Sequence, residues 1–275
     1  MKYSIQLKII LYISAVIWLI FSLYPLIFLI QNSMKTQWEF LTTSPWSPPS
    51  KLYLTNYTDA IKGGLLRGLL NSIIVTLISL VIVLFIGSMA SFAIARFKAK
   101  IGKGFLILFI SGMTVPIYIT LIPVYIITRY IGLYDTLWGL IGPYVASSLP
   151  VTVFILFSAM ETIPKGFEEA AVIDGASAFQ IYWRIILPIS RPTLIAVGIY
   201  DMVHYWNEFV YALVLLSSPK SRTLPLALWN AHGMFSMNVP EMLAGIVISL
   251  LPLIMLYGIT QEKMIQGMMA GALKG

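Results

Sequence analysis

The sequence predicts an all-α membrane protein with six transmembrane helices. Three observations carry that prediction. Six apolar segments, at about 9–30, 69–94, 105–128, 136–160, 193–216 and 242–259, are each long enough to cross the hydrocarbon of a bilayer as a helix. Hydrophobic residues make up 59% of the 275 positions and charged residues 11%, with a mean hydropathy of +0.87, a balance that belongs in lipid. A charged stretch, residues 161–192, separates the fourth and fifth segments and is too polar to lie cheaply in hydrocarbon. The expectation is a single transmembrane domain over residues 1–275, with that stretch as a hairpin inside it.

The first span follows a short basic start carrying Lys2 and Lys8. Its apolar run is too long for a signal peptide, and no small-residue cleavage site follows. Pro25 is expected to bend it, which a membrane helix tolerates when neighbours satisfy the freed carbonyl. Residues 31–68 read as a polar interfacial loop with Trp38, Trp46, Tyr53 and Tyr57, aromatics that favour the lipid–water boundary. The second span holds Gly87, Ser88, Ala90, Ser91 and Ala93, small residues that let helices approach closely. Arg96, Lys98, Lys100 and Lys103 come next, the densest basic cluster in the chain, which the positive-inside rule places in the cytoplasm.

Pro116 and Pro123 interrupt the third span, and Pro143 and Pro150 lie in the fourth, so bent helices are expected there. After the fifth span comes a loop, 217–241, with Lys220, Arg222, Trp229 and His232. Pro252 lies in the sixth span, and a tail ends in the glycine- and alanine-rich run Gly267 to Gly275. With the N-terminus inside, six spans bring the C-terminus inside as well. Assigning the 18 lysines and arginines to loops then gives about eleven inside and about seven outside, so both termini are expected to be cytoplasmic.

The hairpin reads as two short helices around a tight turn. Pro164 suits a first helical turn, where a missing N–H is no loss, and Glu168 and Glu169 suit its positive dipole end. Gly175 is a C-terminal cap able to turn left-handed. Ser177 with Gln180 reads as a capping box that opens the second helix, and Pro188 and Pro192 are expected to end it. The order Glu169-Ala170-Ala171, three residues, Gly175, nine residues, Ile185, one residue, Leu187-Pro188 resembles in full the EAA-loop signature of ABC importer permeases.

That resemblance covers nearly the whole chain. It points to the permease subunit of a type I ABC importer, in the maltose-type carbohydrate subfamily, whose members carry tails similar to Gly267–Gly275. It implies the type I permease fold and a multi-pass place in the cell membrane. It implies that Glu169, Ala170, Ala171, Gly175, Ile185, Leu187 and Pro188 couple the spans to a cytoplasmic ABC ATPase dimer. The other implied partners are a second permease subunit, often a different chain, and an extracellular or periplasmic solute-binding protein. ATP would be bound by the ATPase, leaving no cofactor in this chain.

The fifth span carries Asp201, His204, Asn207 and Glu208 at membrane depth. Positions 201, 204 and 208 are expected to share one helix face. Charged groups there normally face a cavity or a partner. Three roles stay open: lining a substrate path, satisfying one another in helix packing, or relaying protons. Trp206-Asn207-Glu208-Phe209 resembles a segment in this span of sugar permeases. Tyr200, Tyr205, Trp206 and Tyr211 would offer planar faces to a sugar, and Asn207 and Glu208 hydrogen bonds.

Several function classes are excluded. No Walker phosphate loop occurs, so the chain is not expected to hydrolyse ATP. No nucleophile elbow occurs. Two histidines and no cysteine leave no dense metal-ligating cluster, disulfide or thiol chemistry. The net charge of +7 reflects loop topology, since no arginine-rich or basic–aromatic run supports nucleic-acid binding. The expectation is therefore a transport component, not an enzyme. The alternative readings are a proton-coupled secondary transporter built on Asp201, His204 and Glu208, and, third, a membrane scaffold.

Overall fold

The computed structural model describes the backbone of residues 4–96, 99–230 and 238–272, and side chains for 4–96, 101–229 and 238–261. Lys2, Lys98, His232 and residues 273–275 lie outside the described residues, as do the side chains of Lys100 and of the rest of the tail. The described chain is helical, with no strand. In order the helices are α1 (Ile5–Ser33), α2 (Gln37–Thr42), α3 (Thr55–Ala60), α4 (Leu66–Arg96), α5 (Ala99–Gly112), α6 (Ile117–Tyr130), α7 (Trp138–Glu161), α8 (Gly166–Ile173), α9 (Ala178–Ile181), α10 (Leu187–Ile189), α11 (Arg191–Trp206), α12 (Val210–Leu215), α13 (Leu224–Asn230) and α14 (Val239–Ala272). Four helical stretches are long and apolar enough to cross a membrane, and two bent pairs bring the number to six.

By its contacts the chain divides into two compact units, residues 1–66 with 227–252, and residues 67–226 with 253–275. In the first unit, α1 is exposed over most of its length and buries only Asn32 and Ser33 at its end. Pro25 sits inside it. The segment after it, expected as an interfacial loop over 31–68, is folded. Lys35 is fully buried, its ammonium donating to the Ser44 carbonyl at 3.1 Å. Asn56 donates to the carbonyls of Ser33 and Lys35, both at 2.8 Å. Tyr24 and Trp46 stack at 4.3 Å. The helical run into the second span therefore starts at Thr55, fourteen residues before the expected boundary at 69. A π-turn, Ile61–Leu65, interrupts it where Gly64 takes φ +103°. Apolar periodicity alone does not register such a start, because residues 55–63 are mostly polar.

In the second unit, α4, α7 and α11 form the packed centre. A Cβ at Gly87 would meet Thr152 of α7 at 2.7 Å, and Ser91 donates to the Val153 carbonyl at 3.0 Å. A Cβ at Gly198 would meet Leu84 at 3.2 Å, so α11 also lies close on α4. The small residues of the second span thus permit the close approach they suggest.

Both proline-marked bends of the third span differ in kind. The chain breaks after Gly112, and α5 and α6 meet at 95° across the turn before Pro116, whereas Pro123 lies within α6. Pro143 and Pro150 lie within α7. The fifth span, expected as one run over 193–216, is α11, a break at Asn207–Phe209, and α12. The sixth, expected over 242–259, is part of the longer α14.

Candidate functional site

The hairpin is built as its local signals specify, with one correction. Gly175 has φ +80°, so it turns the chain left-handed after α8. Ser177 Oγ accepts from the Gln180 amide at 3.3 Å, and Gln180 Oε1 from the Ser177 amide at 2.8 Å, a complete capping box. The correction concerns Pro164, which precedes α8 by two residues and lies outside its first turn. Pro188 and Pro192 bracket the end of the second helix, whose last helical residue is Ile189. A π-turn, Tyr182–Ile186, sits just before Pro188 and loosens the ladder where proline has no N–H to donate. The chain then bends by 76° at Ser190 into α11, where Pro192 occupies an early position.

The EAA residues divide by side. Ala171 is buried with Met160, Ile163, Ile181 and Ile186, and Ile185 packs on that cluster half-buried, so these hold the two short helices together. Leu187 is half-buried and Pro188 exposed. Glu169 and Ala170 face outward. Around them Phe167, Ile173, Phe179 and Trp183 are exposed, Ile173 by 86%. Exposed apolar side chains gathered in a patch are of the kind that a partner, a ligand or lipid covers.

The polar residues of the fifth span do not share one face. Asp201 is fully buried, and its Oδ2 accepts from Thr152 Oγ1 at 2.8 Å. His204 is exposed and stacks on Tyr200 with rings 6.5 Å apart. The i, i+3 offset is about 60° around a helix, enough to carry His204 out of the buried face. Glu208 lies beyond Trp206, where α11 has ended, so helical spacing no longer applies to it. Its carboxylate caps α12, accepting from the amides of Tyr211 at 2.7 Å and Ala212 at 3.3 Å. Anions are favoured at such a helix start, and the break in the span follows from that cap.

An open cavity of about 830 Å³ lies along the exposed face of α11. Tyr200, His204, Asn207 and Glu208 line it, with Ile117 and Phe209. Asp201, Tyr205, Trp206 and Tyr211 do not. Tyr205 is buried and stacks on Tyr144 at 5.4 Å, Trp206 is buried, and the Tyr211 hydroxyl pairs with Thr120 at 2.8 Å. Among the described residues no three carboxylates or histidines gather as a metal site.

Sequence reasoning missed Asp135 and Asn71. Asp135, at φ +58°, accepts from the amides of Ser217 and Ser218 at 2.8 and 2.9 Å and from the Ser221 hydroxyl. Burial raises its pKa, but these donors outweigh burial and hold the carboxyl down at about 2. Asn71 donates to the carbonyls of Lys220 and Arg222 at 2.9 and 2.8 Å. Together they clamp the loop after α12. Asp135 three residues after the turn glycine Gly132 was the available signal.

Residues 84–268 match the family model described as the binding-protein-dependent transport system inner membrane component. The chain is 46% identical to the ABC transporter permease protein ORF2 of Caldicellulosiruptor sp. (strain Rt8B.4), over 96% of each chain. It is 35% identical to the sulfoquinovosyl glycerol transport system permease protein SmoH of Agrobacterium fabrum, over 96% of this chain and 93% of that one. Its fold matches a subunit in the crystal structure of a bacterial ABC transporter for alginate import, with a TM-score of 0.78 at 23% identity over 95% and 99% of the two chains. These relatives are transport components rather than enzymes, and the matching family is a multi-pass family of the cytoplasmic membrane. The chain belongs to the binding-protein-dependent inner membrane components, the permease subunits of type I ABC importers.

Proposed function

We propose that this permease carries a sugar or oligosaccharide inward, on delivery from an external solute-binding protein. A separate ATPase dimer drives it through the EAA hairpin. The termini and the hairpin are cytoplasmic in this reading, and a second permease subunit completes the path. ATP binds only to the ATPase, so this chain needs no cofactor. The observation that carries the coupling role is the division of the EAA residues. Ala171 and Ile185 brace the hairpin from within, while Glu169 and Ala170 stand outward amid exposed apolar side chains. ATP biases the permease only if the docked assembly favours one state over another, and that surface is where the bias would enter.

The sugar assignment rests on the name of the SmoH relative and on the cavity along α11. There Tyr200 and His204 present stacked rings and Asn207 an exposed amide. Glu208 contributes less than its sequence position promises, because both its oxygens already accept backbone bonds. A proton relay through Asp201, His204 and Glu208 has no geometric support, since His204 faces away from the buried Asp201.

The test is purification of the native complex from its membrane, with identification of the bound subunits and of the solute held by the binding protein. An ATPase, a sister permease and a saccharide are the expected result. Uptake by the chain alone in vesicles with a pH gradient and no ATP would refute the reading.

A further inference from the structure

Arg96 ends the second span, where the sequence gives it only a topological meaning. In the fold it has two partners. Its guanidinium pairs with Glu168 in the first turn of α8, and Nη2 donates to the Met160 carbonyl at 3.3 Å. Met160 lies in the last turn of α7, and its carbonyl also accepts from the Ile163 amide at 3.2 Å. The two charged side chains are only 14% and 16% exposed, so salt screens them less than a surface pair. A planar fork of donors is suited to holding two acceptors at once.

The hairpin's second half is joined to α4 as well, by two contacts of Tyr182. The Tyr182 hydroxyl pairs with Ser88 at 2.8 Å, and the Tyr182 ring lies 5.5 Å from Phe92. Ser88, Phe92 and Arg96 are spaced by four, so they form one stripe down the last turns of α4. Tyr182 opens the π-turn through which the hairpin continues, across a 76° bend, into α11.

From these contacts we infer that Arg96 is a positioning residue that locks the coupling hairpin to the second span. The end of α4, the end of α7 and α8 then move as one body when α8 is pulled. This rests on the docking role proposed above for the hairpin. Force enters the spans through a helix 72 positions away in sequence, in addition to the two that flank the hairpin.

The chain has no cysteine, so Val81→Cys on α4 and Lys165→Cys at the start of α8, both exposed, are its two spin-label sites, and any cysteines of the partner subunits are replaced by serine. The assembly is purified with its ATPase and sister permease. The label–label distance is measured without nucleotide and with ATP plus orthovanadate. One narrow distance, the same in both states, is expected with Arg96 and Glu168 intact. Arg96→Gln or Glu168→Gln should broaden or shift it under ATP and orthovanadate, and the exchange Arg96→Glu with Glu168→Arg should restore it. Single variants that keep the narrow distance, or an exchange no better than either single change, would overturn the inference. If the ATPase fails to co-purify with the labelled parent, the docking reading fails first and this inference with it.

Discussion

Gly175 offers the sharpest test of how the hairpin works. Its φ is +80°, and a Cβ built there meets nothing within 4 Å. A substitution is therefore opposed by backbone strain alone, with no clash added. For an L-residue in this region the strain is about 1–2 kcal/mol, more when the side chain is β-branched, and asparagine tolerates it best. Against a competing open hairpin, about 1–2 kcal/mol corresponds to a roughly 5- to 30-fold shift in population. The expected order of impairment is Gly175→Asn, then Gly175→Ala, then Gly175→Val. It would be read as ATP hydrolysis stimulated by the loaded binding protein in the reconstituted complex, with thermal melting of the detergent-solubilised chain as control. If Gly175→Asn were as damaging as Gly175→Val, accessibility of the turn rather than its left-handed backbone would be what matters. Normal stimulation by Gly175→Val would show that the turn need not be left-handed at all.

Three further outcomes are expected. Asp135 has a folded pKa depressed from 3.8 to about 2, so its stabilisation is complete above about pH 4 and is lost as pH falls toward 2. The shift is worth about 2.4 kcal/mol at face value, and solvent screening of this partly exposed group reduces it to about 1 kcal/mol. Melting of Asp135→Asn between pH 6 and pH 2.5 should therefore converge with that of the unmodified chain at the acid end, and curves that stay parallel would refute the assignment. Asn71→Ala removes two hydrogen bonds to the loop carbonyls and should destabilise by about 1–2 kcal/mol, seen as a lower melting temperature with co-purification of the proposed ATPase partner unchanged. Glu169→Lys, on an outward carboxylate, should weaken co-purification of the ATPase while membrane insertion stays intact, and equal recovery of the ATPase would count against the docking surface.

Much of the hairpin is legible in the sequence because its determinants are local. A capping box needs only Ser177 and Gln180 three residues apart, and a left-handed turn needs only Gly175. Pro188 and Pro192 mark the helix end by equally local means, and the helix stops at Ile189 between them. The one miss is Pro164, which lies two residues short of α8. The fifth span is harder to read. Its face was assigned by extending helical spacing through Glu208, and the helix stops at Trp206 because that same glutamate caps the next one. A side chain that alters the backbone on which its own position is computed defeats any periodicity argument.

The sequence by itself determined the class of this protein. Apolar length forces helices in lipid, since backbone groups there must be satisfied within the segment, and a polar insert with the EAA spacing names the family. Only the tertiary structure decided which carboxylates are buried and which face outward, that Arg96 reaches Glu168, and that Asp135 and Asn71 fasten a distant loop. Those pairings join residues about 70 to 150 positions apart. No local propensity encodes them, because their partners are set by how helices stack rather than by neighbours along the chain.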